Sequence, residues 1–60
     1  MYKIKKNHDL LAVFKDDKLE AYGFGSNEDA LHAIWRLNGA NPEHFYKCND
    51  QGEVYLDKTP

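Results

Sequence analysis

Leu10-Leu11-Ala12-Val13-Phe14-Lys15-Asp16-Asp17-Lys18-Leu19-Glu20-Ala21-Tyr22-Gly23-Phe24 is the stretch that decides how this protein folds. Two runs rich in apolar and aromatic residues flank a pair of aspartates, the pattern of a β-hairpin whose two-residue loop is Asp16-Asp17. Pairing Lys15 with Lys18 sets Phe14 against Leu19 and Ala12 against Ala21. Leu10, Ala12, Phe14, Leu19 and Ala21 then share a wholly apolar face, while Leu11, Val13, Glu20, Tyr22 and Phe24 share the other. A slip of one residue would scramble that separation, so the hydrophobic pattern specifies this register.

Upstream, Tyr2-Lys3-Ile4-Lys5 alternates apolar and charged residues, as a half-buried strand does, and the turn-prone Asn7-His8-Asp9 leads from it into the hairpin. Downstream, Gly23-Phe24-Gly25 ends the third strand and Ser26 opens a helix that runs from about Asn27 to Asn38. Ser26-x-x-Asp29 resembles a capping box, acidic Glu28 and Asp29 occupy the first turn, and Arg36 lies in the last, in accord with the helix dipole. Ala30, Leu31, Ile34 and Leu37 form the apolar stripe, with Trp35 at its edge. Asn38-Gly39 supplies the stop.

Asn41-Pro42-Glu43-His44 has the form of a helix start with no apolar period behind it, and predicts a single turn. Phe45 to Asn49 and Glu53 to Leu56 alternate around Asp50-Gln51-Gly52, a second hairpin. Tyr46 and Cys48 share one face of it, and Val54 and Leu56 share one face of the returning strand. Residues 57–60 form a polar C-terminal tail.

The expected fold is therefore α+β in the order β-β-β-α-β-β: one domain over residues 1–60, with a small, mostly antiparallel sheet of about five strands and one helix on one face. A helix of about 11 residues is roughly 16 Å long, and five strands make a sheet about 20 Å wide. One helix covers one face and leaves the other for water, a second copy or a partner.

Sixty residues bury a small core, and such scaffolds usually need a staple or a partner. The single Cys48 rules out an internal disulfide. No basic-then-apolar leader opens the chain, and its longest apolar run is far short of the roughly 20 residues of a membrane span, so a soluble cytoplasmic protein is expected. Net charge is −2 and unevenly spread: residues 1–18 carry five lysines against three aspartates, and residues 19–60 carry three basic against seven acidic groups. The eight aromatic residues are those of an ordered domain.

The chemistry-bearing residues do not assemble into a motif. Gly23-x-Gly25-Ser26 precedes a helix, but it lacks the third glycine or Lys-Ser/Thr pair of a nucleotide loop, and Glu28 and Asp29 would repel phosphate. His8, His32, His44 and Cys48 lack the paired spacing of a structural zinc site. His44 and Cys48, four apart on a strand, would stand about 13 Å from each other, too far for a thiolate–imidazole pair. No catalytic, cofactor-binding or metal-binding residues are assigned, no cofactor is expected, and the chain is read as a non-enzyme.

Lys3, Lys5 and Lys6 with Tyr2, and Tyr22 or Phe24 as stacking platforms, are what a nucleic-acid reading would use. The chain has one arginine, and acidic residues flank the later aromatics, so nucleic acid is disfavoured as a partner. Glu28, His32 and Arg36 form a solvated row on the helix. The expected function is a protein-binding module, of the kind that phages and mobile elements encode as inhibitors or modulators of larger proteins, acting through its sheet and aromatic surface. Its partner-binding residues are expected to be Tyr22, Phe24, Trp35, Arg36, Tyr46 and Tyr55, since Trp, Tyr and Arg dominate binding hot spots. A homodimer would cover the spare sheet face. The alternatives are a nucleic-acid accessory using the lysine strand and, third, a small thiol- or His-dependent enzyme.

Overall fold

The computed structural model describes residues 1–57; residues 58–60, most of the expected polar tail, lie outside the described residues. The elements follow the expected order: β1 (Tyr2–Asn7), β2 (Leu10–Lys15), β3 (Lys18–Phe24), α1 (Asn27–Leu37), β4 (Phe45–Cys48) and β5 (Val54–Asp57). Asp57, expected in the tail, is the last residue of β5.

The five strands do not form the single sheet expected. They make a three-stranded antiparallel sheet, β1-β2-β3, and a separate hairpin, β4-β5. The hairpin meets β1 through one antiparallel bridge, Lys3 with Glu53, and one hydrogen bond from the Ile4 amide to the Gly52 carbonyl at 2.8 Å. Beyond that bridge, side chains rather than a ladder join the two sheets: the Tyr2 ring stands edge-on to Tyr46, 6.4 Å between centroids.

The first hairpin turns as its sequence predicts. Asp16 and Asp17 both adopt left-handed backbone (φ 50° and 66°), the requirement of a two-residue loop whose twist matches its strands. The Met1 ammonium donates to Asp16 Oδ1 at 2.7 Å, and that hydrogen bond and its charge hold the carboxyl below its ordinary range. Lys15 pairs with Lys18 and Phe14 with Leu19. From there the register departs from the expected one, for Ala21 pairs with Val13, Tyr22 with Ala12, and Phe24 with Leu11. β3 bulges twice, at Glu20 and at Gly23, whose φ of 93° suits glycine.

The bulges exchange the faces of Ala21 and Tyr22 relative to the expected register. A regular ladder would set Glu20 on the same side as Leu11 and Val13, the side that α1 covers, and a buried unpaired carboxylate is costly. The bulge leaves Glu20 exposed and brings Ala21 to the core instead. The core is thus Ile4, Val13, Ala30, Ile34 and Val54, with Tyr2, Leu11, Ala21 and Phe24 packed against it. Among the described residues nothing is layered over the opposite face, with Lys3, Lys5, Leu10, Phe14, Leu19 and Tyr22.

Ser26 caps α1, accepting from the Asp29 amide at 3.2 Å, and Asn38 closes it. The apolar stripe is shorter than its spacing predicts: Leu37 is 58% exposed. The last-turn contact with the sheet is polar instead, from the Asn38 side chain to the Tyr2 hydroxyl at 3.0 Å. The single turn at Asn41 forms as expected, with the Glu43 amide on Asn41 Oδ1 and the His44 amide on the Asn41 carbonyl. Among the described residues, no helix is long and apolar enough to cross a membrane.

Candidate functional site

Trp35 stands at the border of the helix's apolar stripe, and its position is set by the turn that follows. Its indole N–H donates to the Asn41 carbonyl at 2.7 Å, so the half-buried ring is anchored by its polar edge. It lies near-parallel to His32, at 5.2 Å between centroids, and to Phe45 at the start of β4, at 6.4 Å. The i, i+3 spacing of His32 and Trp35 places the first pair on one helix face. The tight turn at Asn41 delivers the second.

These rings line an open groove of about 570 Å³ between α1 and the second hairpin, within the volume range typical of ligand pockets. Leu31, His32 and Trp35 form the helix side; Phe45, Tyr46, Cys48 and Tyr55 form the hairpin side. Phe45 and Tyr55 are each about half exposed, a high fraction for large apolar and aromatic side chains. Charge is confined to Glu28 and Lys47. Lys47 Nζ is 3.0 Å from Asp57 Oδ2 across the hairpin, and this hydrogen bond and opposite charge raise its pKa.

The hairpin also presents backbone. The Asn49 amide bonds the Glu53 carbonyl at 3.0 Å. Antiparallel alternation then turns the N–H and C=O groups of Phe45 and Lys47 towards β5, and those of Tyr46 and Cys48 towards the outer edge of β4. Among the described residues no strand pairs with that edge.

The groove thus brings together three of the six expected partner-binding residues, Trp35, Tyr46 and Tyr55. Arg36 is exposed on the helix outside the groove lining. Phe24 packs against the core, and Tyr22, 72% exposed, stands on the uncovered face of the three-stranded sheet. Sequence reasoning missed Phe45, Leu31 and His32 as site residues. The signal available was Phe45 itself, an aromatic directly after a polar turn, where no core partner was in sight.

Of the residues the nucleic-acid reading draws on, Lys3, Lys5 and Tyr22 share the uncovered face, whereas Tyr2 and Phe24 face the core. The residues a metal or thiol reading draws on are dispersed. His8 lies in the β1–β2 turn, His32 on Trp35, and His44 Nδ1 at 3.3 Å from Asn41 Nδ2. Among the described residues no three of the His, Cys, Asp and Glu side chains come together as metal ligands. Cys48 is half-buried against the core. In comparisons with protein-family models, curated proteins and solved structures, nothing matches this chain.

Proposed function

We propose that this chain is a small non-enzymatic protein-binding module, an inhibitor or modulator of a larger protein, and that it holds an extended segment of that partner in the α1–β4 groove. The observation that carries this reading is the juxtaposition of an apolar, aromatic groove with the unpaired edge of β4. Strand addition at a sheet edge draws affinity from main-chain hydrogen bonds and specificity from pockets for alternate side chains. Here the outward groups of Tyr46 and Cys48 would supply the first, and the Trp35–Phe45 surface the second. Anchoring Trp35 through Asn41 removes part of the ordering cost of binding. The dispersed histidines and the core-packed Cys48 support a binding role over a chemical one.

Trp35 is the only tryptophan, so the groove carries its own reporter. Random extended peptides displayed for selection against the folded chain should enrich sequences with apolar residues at alternating positions. Synthetic versions should shift Trp35 emission on titration. Phe45→Glu should weaken binding at least about tenfold, because a carboxylate would be desolvated in the groove. Absence of enrichment, or binding unchanged by Phe45→Glu and by Trp35→Ala, would overturn the reading.

A further inference from the structure

The face of β1-β2-β3 that α1 leaves uncovered is organised in rows across the strands. Lys3, Phe14 and Leu19 form one row, and Lys5, Ala12 and Tyr22 the next. Each row runs from a lysine on β1, through an apolar residue on β2, to an apolar or aromatic residue on β3. Ala12 is inaccessible even in the single chain, whereas Leu19 is 47% exposed and Tyr22 more so. Lys5 Nζ already lies over the Phe14 ring, 5.4 Å from its centroid, which shows how the ammonium is held against aromatic surface here.

This pattern is complementary to itself. A two-fold axis along β2 lays β1 of one copy over β3 of the other, and each row falls on its own reverse. Lys5 then meets Tyr22 of the second copy, a cation–π arrangement, and the Lys3 stem lies on Leu19 of the second copy. β1 carries three lysines, and β3 carries one lysine, Lys18, and one carboxylate, Glu20, so the fit of the overlay comes from these ring and stem contacts rather than from net charge. A nucleic acid fits the face less well, because Asp17 borders the lysines and Asp9 borders Tyr22.

We infer that this uncovered sheet face is a self-association surface whose occupant is a second copy of the chain, related by a two-fold axis along β2. Three strands of six or seven residues span about 14 by 20 Å, so the two copies together bury less than the roughly 1,200–2,000 Å² of stable complexes. The dimer is therefore weak and reversible, with a dissociation constant of about 10 µM to 1 mM.

Sedimentation equilibrium across about that concentration range tests it. The expected result is a mass that climbs from 7.0 kDa towards twice that value. Leu19→Lys, which sets a second lysine over Lys3, should weaken association at least about tenfold, and Leu19→Glu should strengthen it. Tyr22→Lys, at a more exposed position, gives the same readout as Leu19→Lys if the latter fails to fold by circular dichroism. Phe45→Glu, in the groove, should leave association unchanged, which separates this inference from the binding role of the groove. A 7.0 kDa mass throughout would overturn it, leaving the face to a different protein or to solvent. Equal weakening by Leu19→Lys and Leu19→Glu, or association abolished only by Phe45→Glu, would overturn it as well.

Discussion

Gly23 and Gly52 both hold left-handed backbone, at φ 93° and 79°, yet their surroundings differ. A Cβ added at Gly23 would meet open space, whereas one added at Gly52 would overlap the Ile4 carbonyl oxygen. Gly23→Ala should therefore lower stability by about 1–2 kcal/mol, the backbone penalty alone. Gly52→Ala should lower it by more than about 2 kcal/mol, because the second hairpin must also move off β1. Urea denaturation measures both, and loss of exchange protection at the Ile4 amide should accompany the second only. The turn role of Gly52 was legible in Asp50-Gln51-Gly52. Its approach to Ile4 was not, since no local pattern encodes a contact between the two ends of a chain.

Lys47 offers a second test at this scale. Asp57 raises its pKa, so the folded value lies above the unfolded one. The pair's contribution is fully present below the unfolded pKa and is lost as pH rises through the folded one. Both groups are substantially exposed, so salt should screen the effect. Following the Lys47 side chain by NMR, Asp57→Asn should bring its titration midpoint down, and raised ionic strength should do so in part.

At the scale of elements, the order of strands and helix, the Ser26 cap and the single turn at Asn41 could all be read from short-range signals, because each depends on neighbours within a few residues. The hairpin loop was read correctly, although two aspartates are not its most favourable occupants. Replacing Asp16-Asp17 with Asn-Gly should raise stability by about 1 kcal/mol, measurable as an increase in the urea midpoint, since that pair accepts left-handed backbone at less strain. The two β3 bulges were not legible. The regular register already gave one wholly apolar face, and pattern alone offered no reason to leave it. What disfavoured it was the helix, which covers the other face and would have buried Glu20.

For the whole molecule, the core is few in number and drawn from β1, β2, α1 and β5. Ile34 and Val13 are its largest fully buried side chains. Ile34→Ala should cost about 2–5 kcal/mol, a large share of the roughly 3–9 kcal/mol available to a chain of this length. Thermal and urea melts should show a clearly lowered midpoint, and an unchanged midpoint would contradict the burial of Ile34 in the core. Of the groove, Trp35, Tyr46 and Tyr55 could be singled out by residue type, but their convergence with Phe45 was not legible. It arises from the Asn41 turn, which brings β4 back alongside α1.

The amino-acid pattern by itself determined the class, the order of elements, the helix with its cap, and the fact that one helix leaves one sheet face bare. Those follow from residue types and their periodicity, which act locally. Only the tertiary structure decided which face the helix covers, that the strands divide into a sheet of three and a hairpin, and where the aromatic groove opens. Each of these turns on competition between distant groups. Glu20 avoids burial beneath α1, the Tyr2 ring meets Tyr46 edge-on between the two sheets, and Gly52 admits the Ile4 carbonyl where a Cβ would overlap it. Such outcomes depend on which surfaces meet, and no segment of the chain carries that information alone.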